Sequence, residues 1–405
     1  MDSLITAAAR LLASGDPIGA LKLVALRNDA SGLAMRGIAM AQLGEYPRAR
    51  ELLRGAARAF SPREAVARAR CILAEAEIAL VSRDLNWTAK SLGAARATLE
   101  EHGDRGNAAH ARYLEIRRLL LVGKLDDAER ALAKVPSTVP LPLRIAHELI
   151  LAQLAMRRLQ TKGARAALAR AGQLAHRAGI PALAAEVETA FEVLNTPAAR
   201  LIARGEEKLL LLDDVEELLN TKTFIVDTCR HVVRQGPDII ALTKRPVLLT
   251  LARVLAEAWP NDVPRDDLVL RAFRLKLADE SHRARLRVEI GRLRKLLRGM
   301  AGIEATPRGF ALLSRRARDV AVLARPVEEK HAGVLAFLAD GESWSTSALA
   351  QAMQTSQRTI QRTLDELTLQ GKVQAVGRGR ARRWMTPPVP GFTTLLLLPA
   401  ALPAE

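Results

Sequence analysis

Aromatic side chains, cysteines and long apolar runs are all scarce in this chain of 405 residues. Aromatic residues make up 3% of it, which argues against a large β-sandwich and favours helices packed through leucine and alanine. Cys71 and Cys229 fit neither a disulfide framework nor a zinc site, so we expect a reducing, cytoplasmic setting. No apolar run approaches the roughly 18 residues of a membrane span, and the first residues lack the basic start of a signal peptide, so we expect no membrane association.

The motifs of common enzymes are missing as well. The sequence contains no GxxxxGK[ST] phosphate loop, no HExxH zinc motif and no GxSxG nucleophile turn. Its seven histidines are scattered and form no ligand-like cluster. We therefore expect a protein that is not an enzyme, with no catalytic residues, no metal and no cofactor.

Positive charge is what the chain has in excess. Lys and Arg number 61 against 44 acidic residues, a net charge of +17. Such a surface attracts polyanions, nucleic acid first. Codon usage in a GC-rich genome is an alternative source of arginine, so the position of the charge is more informative than its total.

Residues 1–205 have apolar positions at helical spacing and few strand signals. A short glycine turn followed by an alanine recurs as GDPIGA at Gly15, GEYPRA at Gly44 and GKLDDA at Gly123, with weaker copies in SRDLNWTA at Ser82 and LQTKGARAAL at Leu159. The 79 residues from Gly44 to Gly123 make about two units of 39 or 40, which predicts stacked helix pairs.

Two of these segments, 43–56 and 122–135, resemble the second helix of tetratricopeptide repeats, in which a glycine opens the turn and an alanine packs where helices approach closely. The resemblance implies an α-solenoid over 1–205 whose concave face binds a peptide or a protein partner. A block that only self-associates or serves as a scaffold is the open alternative. Six acidic residues then follow in Glu206–Asn220. They predict an acidic hinge at 206–222, formed by the last repeat helix or by a linker helix.

A small α+β domain is predicted next, over 223–325. The pattern predicts a strand at Thr223–Asp227 and a hairpin around Gly236-Pro237. Three helices follow, the first capped by Thr243, the second at Val263–Phe273 and the third starting near Ser281. A strand–turn–strand segment closes the domain at Ile303–Leu313.

This order, with Leu242-Thr243, VPRDDL at Val263, VEIGRLRKLL at Val288 and TPRGFAL at Thr306, resembles the DNA-binding domain of the OmpR/PhoB family over 223–313. The resemblance implies a winged helix whose third helix enters the major groove of DNA and whose hairpin, the wing, reaches the minor groove. By position in the family, Arg285, Val288 and Arg292 read bases, Arg294 contacts the backbone and Arg308 lies on the wing. The 205 residues before it lack the alternating strands of a phosphorylation receiver domain.

Helical geometry points to the same face independently. Leu286, Ile290, Leu293 and Leu297 form one apolar stripe. The opposite face carries small residues and Lys295, and Arg287 lies on its flank, so these two basic residues complete the predicted DNA site of this domain. A basic helix that is simply solvated is the alternative.

A second winged helix is predicted over 326–405, with helices at His331–Trp344 and Ser345–Met353, a third helix after the turn QTS, and a basic hairpin at Lys372–Trp384. The pattern resembles the helix-turn-helix of DeoR- and MarR-like regulators over 331–385. Its predicted DNA-binding residues are Ser356, Gln357, Arg358, Gln361 and Arg362 on the third helix, with Arg378 and Arg380 at the tip of the hairpin. A winged helix used only for dimer contacts is the alternative.

Together these patterns predict a mainly α chain, in which an N-terminal α-solenoid precedes two α+β winged-helix domains. The expected function is a sequence-specific transcription regulator that binds double-stranded DNA, cytoplasmic and associated with the nucleoid. The alternative is a helical-repeat interaction scaffold whose winged helices contact protein. The operator, the target genes and any effector are not encoded in these patterns.

Overall fold

The structure is a computed structural model, and it describes residues 3–81, 89–121, 123–135, 139–273, 275, 277, 279–314, 319–326, 331–338, 344–353, 355–369, 372–377, 379 and 382–385. These residues form 18 α-helices and 11 β-strands, so the prediction of a mainly α chain is confirmed. They cluster into two compact units, one within Met1–Arg158, Lys162–Glu192 and Gly333–Glu405, the other within Leu159–Thr161 and Val193–Ala332.

The first unit begins with eleven helices. They are α1 (Ser3–Ala13), α2 (Pro17–Val24), α3 (Ala30–Gln42), α4 (Tyr46–Ala59), α5 (Ala65–Val81), α6 (Ala89–Glu101), α7 (Arg105–Leu121), α8 (Leu125–Leu132), α9 (Leu141–Arg157), α10 (Thr161–Ala178) and α11 (Pro181–Asn195). Residues 161 and 193–195, at the ends of α10 and α11, belong to the second unit.

Glycine turns separate several of these helices, as the repeats predict. Gly15, Gly44 and Gly123 all have φ near +80°, a conformation that glycine adopts without steric cost. The alanines that follow them, Ala20, Ala49 and Ala128, are fully buried. A methyl group at these positions lets neighbouring helices pack closely. The copy at Ser82 lies outside the described residues.

A six-stranded sheet lies in the second unit. Its strands are β1 (Ala199–Ala203), β2 (Glu206–Leu210), β3 (Phe224–Asp227), β4 (Val232–Gln235), β5 (Asp238–Ala241) and β9 (Val320–Ala324), in the order β2-β1-β9-β3-β4-β5. The predicted strand at β3 and hairpin β4–β5 are present. Strand β9, which runs parallel to β3 and antiparallel to β1, was not predicted.

Residues 206–222, expected to be an acidic hinge, are instead part of this unit. Glu206–Leu210 is the edge strand β2, and Leu212–Leu219 is helix α12. Charged side chains of β2 face solvent, where an edge strand tolerates them. Acidic residues in the first turn of α12 suit the positive end of the helix dipole. Strand β1 also pairs within this sheet, so the compact unit begins before residue 205.

Three helices and a second sheet complete the unit. They are α13 (Pro246–Ala258), β6 (Asp262–Pro264), α14 (Arg265–Phe273), α15 (Glu280–Leu296), β7 (Ala301–Ala305) and β8 (Gly309–Ser314). The strands pair in the order β6-β8-β7, so the predicted hairpin at 303–313 is present and has a third strand. One apolar core joins both sheets and the three helices.

Two local predictions in this unit were wrong. Val263 lies in β6, paired with Phe310, and the second helix begins at Arg265. Thr243 does not cap α13, because a turn precedes the helix and Arg245 occupies the cap position. Pro246 is the first residue of α13, where its missing N–H costs nothing.

The C-terminal module, part of the first unit, contains α16 (Ala332–Leu338), α17 (Thr346–Ala352), α18 (Gln357–Leu369), β10 (Gln374–Val376) and β11 (Arg383–Met385). Trp344, expected at the end of a helix, forms a β-bridge with Trp384 instead. Trp384 is fully buried, and its indole Nε1 donates a hydrogen bond to Thr346 Oγ1 at 3.1 Å. This tryptophan therefore fixes the hairpin β10–β11 against α17.

None of the helices in the described parts of the chain is both long enough and apolar enough to cross a bilayer. Those same parts contain no group of three or more His, Cys, Asp or Glu side chains arranged to hold a metal ion.

Candidate nucleic-acid interface

Helix α15 is positioned by contacts at its N-terminus. Asp279 is its N-cap, and Asp279 Oδ1 accepts a hydrogen bond from the His282 N–H at 2.9 Å. This bond, together with one from the Ser281 hydroxyl, lowers the pKa of Asp279. Arg283 donates from Nε and Nη2 to the two carboxylate oxygens of Asp266, at 2.9 and 3.1 Å, and so ties α15 to α14. The helix thus begins at Glu280, one residue before the predicted start.

The apolar stripe of α15 faces the core. Leu286, Ile290, Leu293 and Leu297 are each at most 1% exposed. They pack in the cluster that includes side chains of both sheets. Since one side of α15 is consumed by this packing, the opposite side is turned to solvent.

That opposite side is exposed and basic. Val288 at its centre is 54% exposed. Arg285, Arg287, Arg292 and Lys295, all predicted site residues, are exposed around it. Gly291 lies on the same side, and a Cβ built there would meet no atom within 4 Å. The centre of this surface is therefore open, and the basic side chains around it are longer than any side chain at the centre.

Intrahelical ion pairs occupy two of these cations. Arg287 Nη2 donates to Glu280 Oε1, and Arg292 Nη1 donates to Glu289 Oε1, both at 2.7 Å. Glu289 is largely buried, with 13% of its side chain exposed, whereas Arg292 is 64% exposed. An ion pair with one exposed partner is weak. Because a guanidinium also has several N–H donors, each of these arginines keeps donors for another acceptor.

Other cations of this face have no acidic partner. The guanidinium carbon of Arg285 lies 4.4 Å from the ring centroid of Phe273, a cation–π contact that holds it near the start of α15. The side chains of Lys295 and Arg298 make no hydrogen bond or ion pair with the residues that the structure describes. The unneutralised charge of α15 is thus spread over both ends of its exposed side.

Arg294 has a structural contact that the sequence did not indicate. Its Nε donates to the carbonyl oxygen of Ile303 in β7 at 2.7 Å, and its guanidinium lies 5.8 Å from the centroid of Phe310. The family position assigned Arg294 to the DNA backbone. Part of its donor set is instead spent on joining α15 to the hairpin, although the residue remains exposed.

A side chain of β6 holds the turn of hairpin β7–β8 in place. Thr306 Oγ1 donates to Asp262 Oδ2 at 2.6 Å and accepts from the Gly309 N–H at 2.8 Å. Arg265 donates to the carbonyl oxygens of Thr306 and Pro307, both at 2.9 Å. This leaves Arg308, the predicted wing residue, with 73% of its side chain exposed and only a 3.9 Å approach to Asp262.

Sequence analysis did not identify Arg265, which holds the turn through hydrogen bonds to residues more than forty positions away. No local pattern could have indicated it, because its partners are backbone carbonyls that only the folded chain brings near.

In the C-terminal module, two predicted base-reading side chains have local tasks. Ser356 Oγ accepts from the Thr359 N–H at 3.1 Å and so caps α18. Gln361 is half-buried; its Nε2 donates to Asp365 Oδ1 at 2.9 Å, and its Oε1 accepts from Thr346 Oγ1 at 3.3 Å. Gln361 therefore joins α17 to α18 and has few groups left for a base edge.

The remaining predicted residues of α18 point outward. The side chains of Gln357, Arg358 and Arg362 are exposed and make no hydrogen bond or ion pair within the described part of the chain. Ile360, Leu364 and Leu367 on the other side of α18 are buried, as predicted. Arg378 and Arg380, at the predicted hairpin tip, lie outside the described residues.

The structure thus contains two exposed basic helix faces, each beside a β-hairpin of its own module. Comparison of this chain with models of protein families, with curated proteins and with solved structures finds no match.

Proposed function

We propose that this protein is a transcription regulator that binds double-stranded DNA sequence-specifically in the nucleoid. The observation that carries the proposal is the exposed side of α15, where Arg285, Val288, Arg292 and Lys295 lie opposite a fully buried apolar stripe. A helix of this kind enters a major groove with its cations near base edges and phosphates.

The surroundings of α15 support the same proposal. Three helices followed by a hairpin agree with the winged-helix architecture that the OmpR/PhoB resemblance implies for 223–313. In such a domain the hairpin acts as the wing, and Arg308 at its turn is the cation suited to the minor groove. The contact between Arg294 and Ile303 keeps the helix and the hairpin in one rigid arrangement.

The C-terminal module supplies a second DNA contact in this proposal. Arg358 and Arg362 are one helical turn apart on the exposed side of α18, and Gln357 lies beside them. Helices α1–α11, which precede β1, take the role of a tetratricopeptide-like helical block that receives a protein partner or self-associates. They hold the repeated glycine turns and buried alanines rather than a basic helix beside a hairpin.

The salt dependence of DNA binding tests whether the exposed side of α15 contacts DNA. Binding of the full-length protein to a random-sequence duplex is measured by fluorescence anisotropy over a series of salt concentrations. Each phosphate contact contributes about one unit to the log–log slope. We expect Lys295→Ala to reduce the slope by about 1.

Lys208→Ala is the matched control for that experiment. Lys208 is an exposed lysine on β2 whose side chain makes no hydrogen bond or ion pair in the described part of the chain. Its removal changes the net charge equally, and we expect no change in slope. Equal slopes for Lys295→Ala and wild type would exclude α15 as the DNA-binding face. Absence of any salt-dependent DNA binding would favour the scaffold alternative.

Sequence specificity is tested by selecting bound duplexes from a randomised pool. We expect Arg292→Ala to weaken binding to the selected sequence by about 1–3 kcal/mol and binding to random DNA by much less. An equal loss on both would make Arg292 a phosphate contact. The double change Arg358→Ala, Arg362→Ala should lower the salt slope further, by about 2. An unchanged slope would give α18 another role, most simply dimerisation.

A further inference from the structure

A cleft opens among the N-terminal helices of the first unit. Its volume is about 210 Å³, and α1, α3, α4, α5 and α7 contribute to its walls. Most of its lining is apolar, including Met35, Ile38, Leu53 and Phe60. One part of the wall is different, because Glu77 of α5 and His110 of α7 meet there.

Glu77 is buried, with 2% of its surface exposed, and its two carboxylate oxygens differ in their contacts. Oε2 lies 2.5 Å from His110 Nε2. Oε1 is buried and has no hydrogen-bond partner among the described residues. A buried carboxylate oxygen without a partner destabilises the folded protein unless something supplies a hydrogen-bond donor. Glu77 is one of the residues that line the cleft, so a ligand bound there lies next to this carboxylate.

The neighbouring cations are already engaged with other carboxylates. Arg70 Nε donates to Asp104 Oδ2 at 2.7 Å, and the same oxygen accepts from Asn107 Nδ2 at 2.8 Å. Arg117 Nη2 donates to Glu186 Oε1 at 2.9 Å.

Burial raises the pKa of Glu186, Arg117 opposes this rise, and the Glu77 carboxylate adds to it. The electrostatic influence of Glu77 thus extends to Glu186. Arg70 also lines the cleft, but it is paired with Asp104, and no described cation contacts Glu77 Oε1.

We propose that this cleft binds a small primary amine with an apolar body, whose ammonium group donates to Glu77 Oε1. An ammonium both supplies the missing hydrogen-bond donor and balances the carboxylate charge, and charge-assisted hydrogen bonds are the strongest of their kind. The apolar walls bury the rest of the ligand. A carboxylic acid of the same shape would meet like charge. This site is separate from the basic faces of α15 and α18, so it does not depend on DNA binding.

Titration calorimetry with the full-length protein tests the proposal. The probes are butylamine, phenethylamine and tryptamine, with phenethyl alcohol and 3-phenylpropionate as a neutral and an anionic analogue of the second. We expect at least one amine to bind with a stoichiometry of one and to raise the melting temperature, as a ligand of the folded state must. Each analogue should bind at least about tenfold more weakly than phenethylamine. Absence of binding by all three amines would overturn the proposal.

Glu77→Gln removes the charge while keeping the shape, and we expect it to abolish preference for the amine over the alcohol. Glu75→Gln is the matched control on the same helix, because Glu75 pairs with Arg54 and does not line the cleft. It should bind as wild type does.

Ala67→Phe fills the cleft from a half-exposed position of α5 and should abolish binding of all probes. Circular dichroism checks that each variant is folded. Binding that survives both Glu77→Gln and Ala67→Phe would place the amine elsewhere and contradict the assignment.

Discussion

Arg294 Nε, near the end of α15, donates a hydrogen bond of 2.7 Å to the carbonyl oxygen of Ile303 in β7. The two residues are nine positions apart, with the end of the helix and the start of the hairpin between them. The contact joins the end of the helix to the start of the hairpin. Arg294, which the family resemblance assigns to the DNA backbone, therefore also holds two elements of the domain together.

Removing this contact should destabilise the domain. We expect Arg294→Ala to lower the free energy of unfolding by about 1 kcal/mol, because a charge-assisted hydrogen bond and a contact with Phe310 are lost together. Urea denaturation followed by circular dichroism measures the change. Arg298→Ala, an exposed change in the turn just after α15, should stay within about 0.5 kcal/mol of wild type. A cost for Arg294→Ala no greater than that for Arg298→Ala would refute the structural role.

Glycine at position 309 should be indispensable. A Cβ there would lie 1.7 Å from the carbonyl oxygen of Val263, in the strand β6 that pairs with β8. We expect Gly309→Ala to destabilise the protein by about 2–3 kcal/mol as the strands are forced apart. Gly291→Ala is the control, since its Cβ meets nothing within 4 Å and alanine favours a helix by about 0.5–1 kcal/mol. Thermal denaturation should therefore shift in opposite directions for the two variants.

Glu289 should restrain DNA binding on the proposed interface. Its carboxylate pairs with Arg292 and places negative charge beside the exposed face. We expect Glu289→Gln to tighten binding to random DNA by about two- to fivefold at low salt, the size expected for a surface ion pair, and less at high salt. Glu217→Gln on α12 makes the same change in net charge at an exposed site and should leave affinity unchanged. Equal tightening by both variants would mean that net charge alone is responsible.

Stability should fall in mild acid because of His147. Burial lowers the pKa of this imidazole, while Glu148 opposes the shift and Arg170 adds to it. Tyr113 Oη lies 3.2 Å from His147 Nδ1, and a neutral imidazole can accept a hydrogen bond from the hydroxyl there. Since the folded pKa lies below the unfolded value of about 6.5, the stabilisation is present above that value and is lost as the pH falls through the folded pKa.

Urea titrations between about pH 7 and pH 5 measure this loss. We expect His147→Gln to flatten the dependence of unfolding free energy on pH, because glutamine keeps an acceptor near Tyr113 without titrating. The same variant at His102, an exposed histidine, should keep the wild-type slope. A wild-type slope for His147→Gln would contradict the assignment.

Both cysteines should resist alkylation in the folded protein. Burial, with a contribution from Glu75, raises the pKa of Cys71 to about 12, and burial with Asp227 raises that of Cys229 to about 11. Only the thiolate reacts with iodoacetamide, so modification at neutral pH should be slow until urea unfolds the chain. Mass spectrometry of timed samples gives both rates. Rapid labelling of Cys71 before unfolding would show that α5 opens readily.

Local pattern was sufficient for several parts of this fold. The turns at Gly15, Gly44 and Gly123, with the alanines that follow, follow from the short-range sterics of glycine and of close helix packing. The buried stripe of α15 and its basic opposite side follow from helical periodicity alone. These features depend on residues within one or two turns of each other, which a sequence displays directly.

Other features required the tertiary structure. Strand β9 pairs with β3 from nearly a hundred residues away, and this pairing recruits β1 and the acidic strand β2 into the same sheet. Both faces of the sheet are covered, so β9 is buried throughout and shows none of the alternation by which a strand is recognised.

The sequence by itself determined which helix faces are apolar and which are basic, because side-chain direction along a helix is periodic. Only the tertiary structure decided which polar groups are spent on other contacts. Gln361 bridges two helices, Arg294 reaches a strand carbonyl, and Glu77 meets His110 from 33 residues away while its other oxygen has no partner among the described residues. Hydrogen bonds form between groups that are close in space, and closeness in space between distant residues is a property of the packed core rather than of any local pattern.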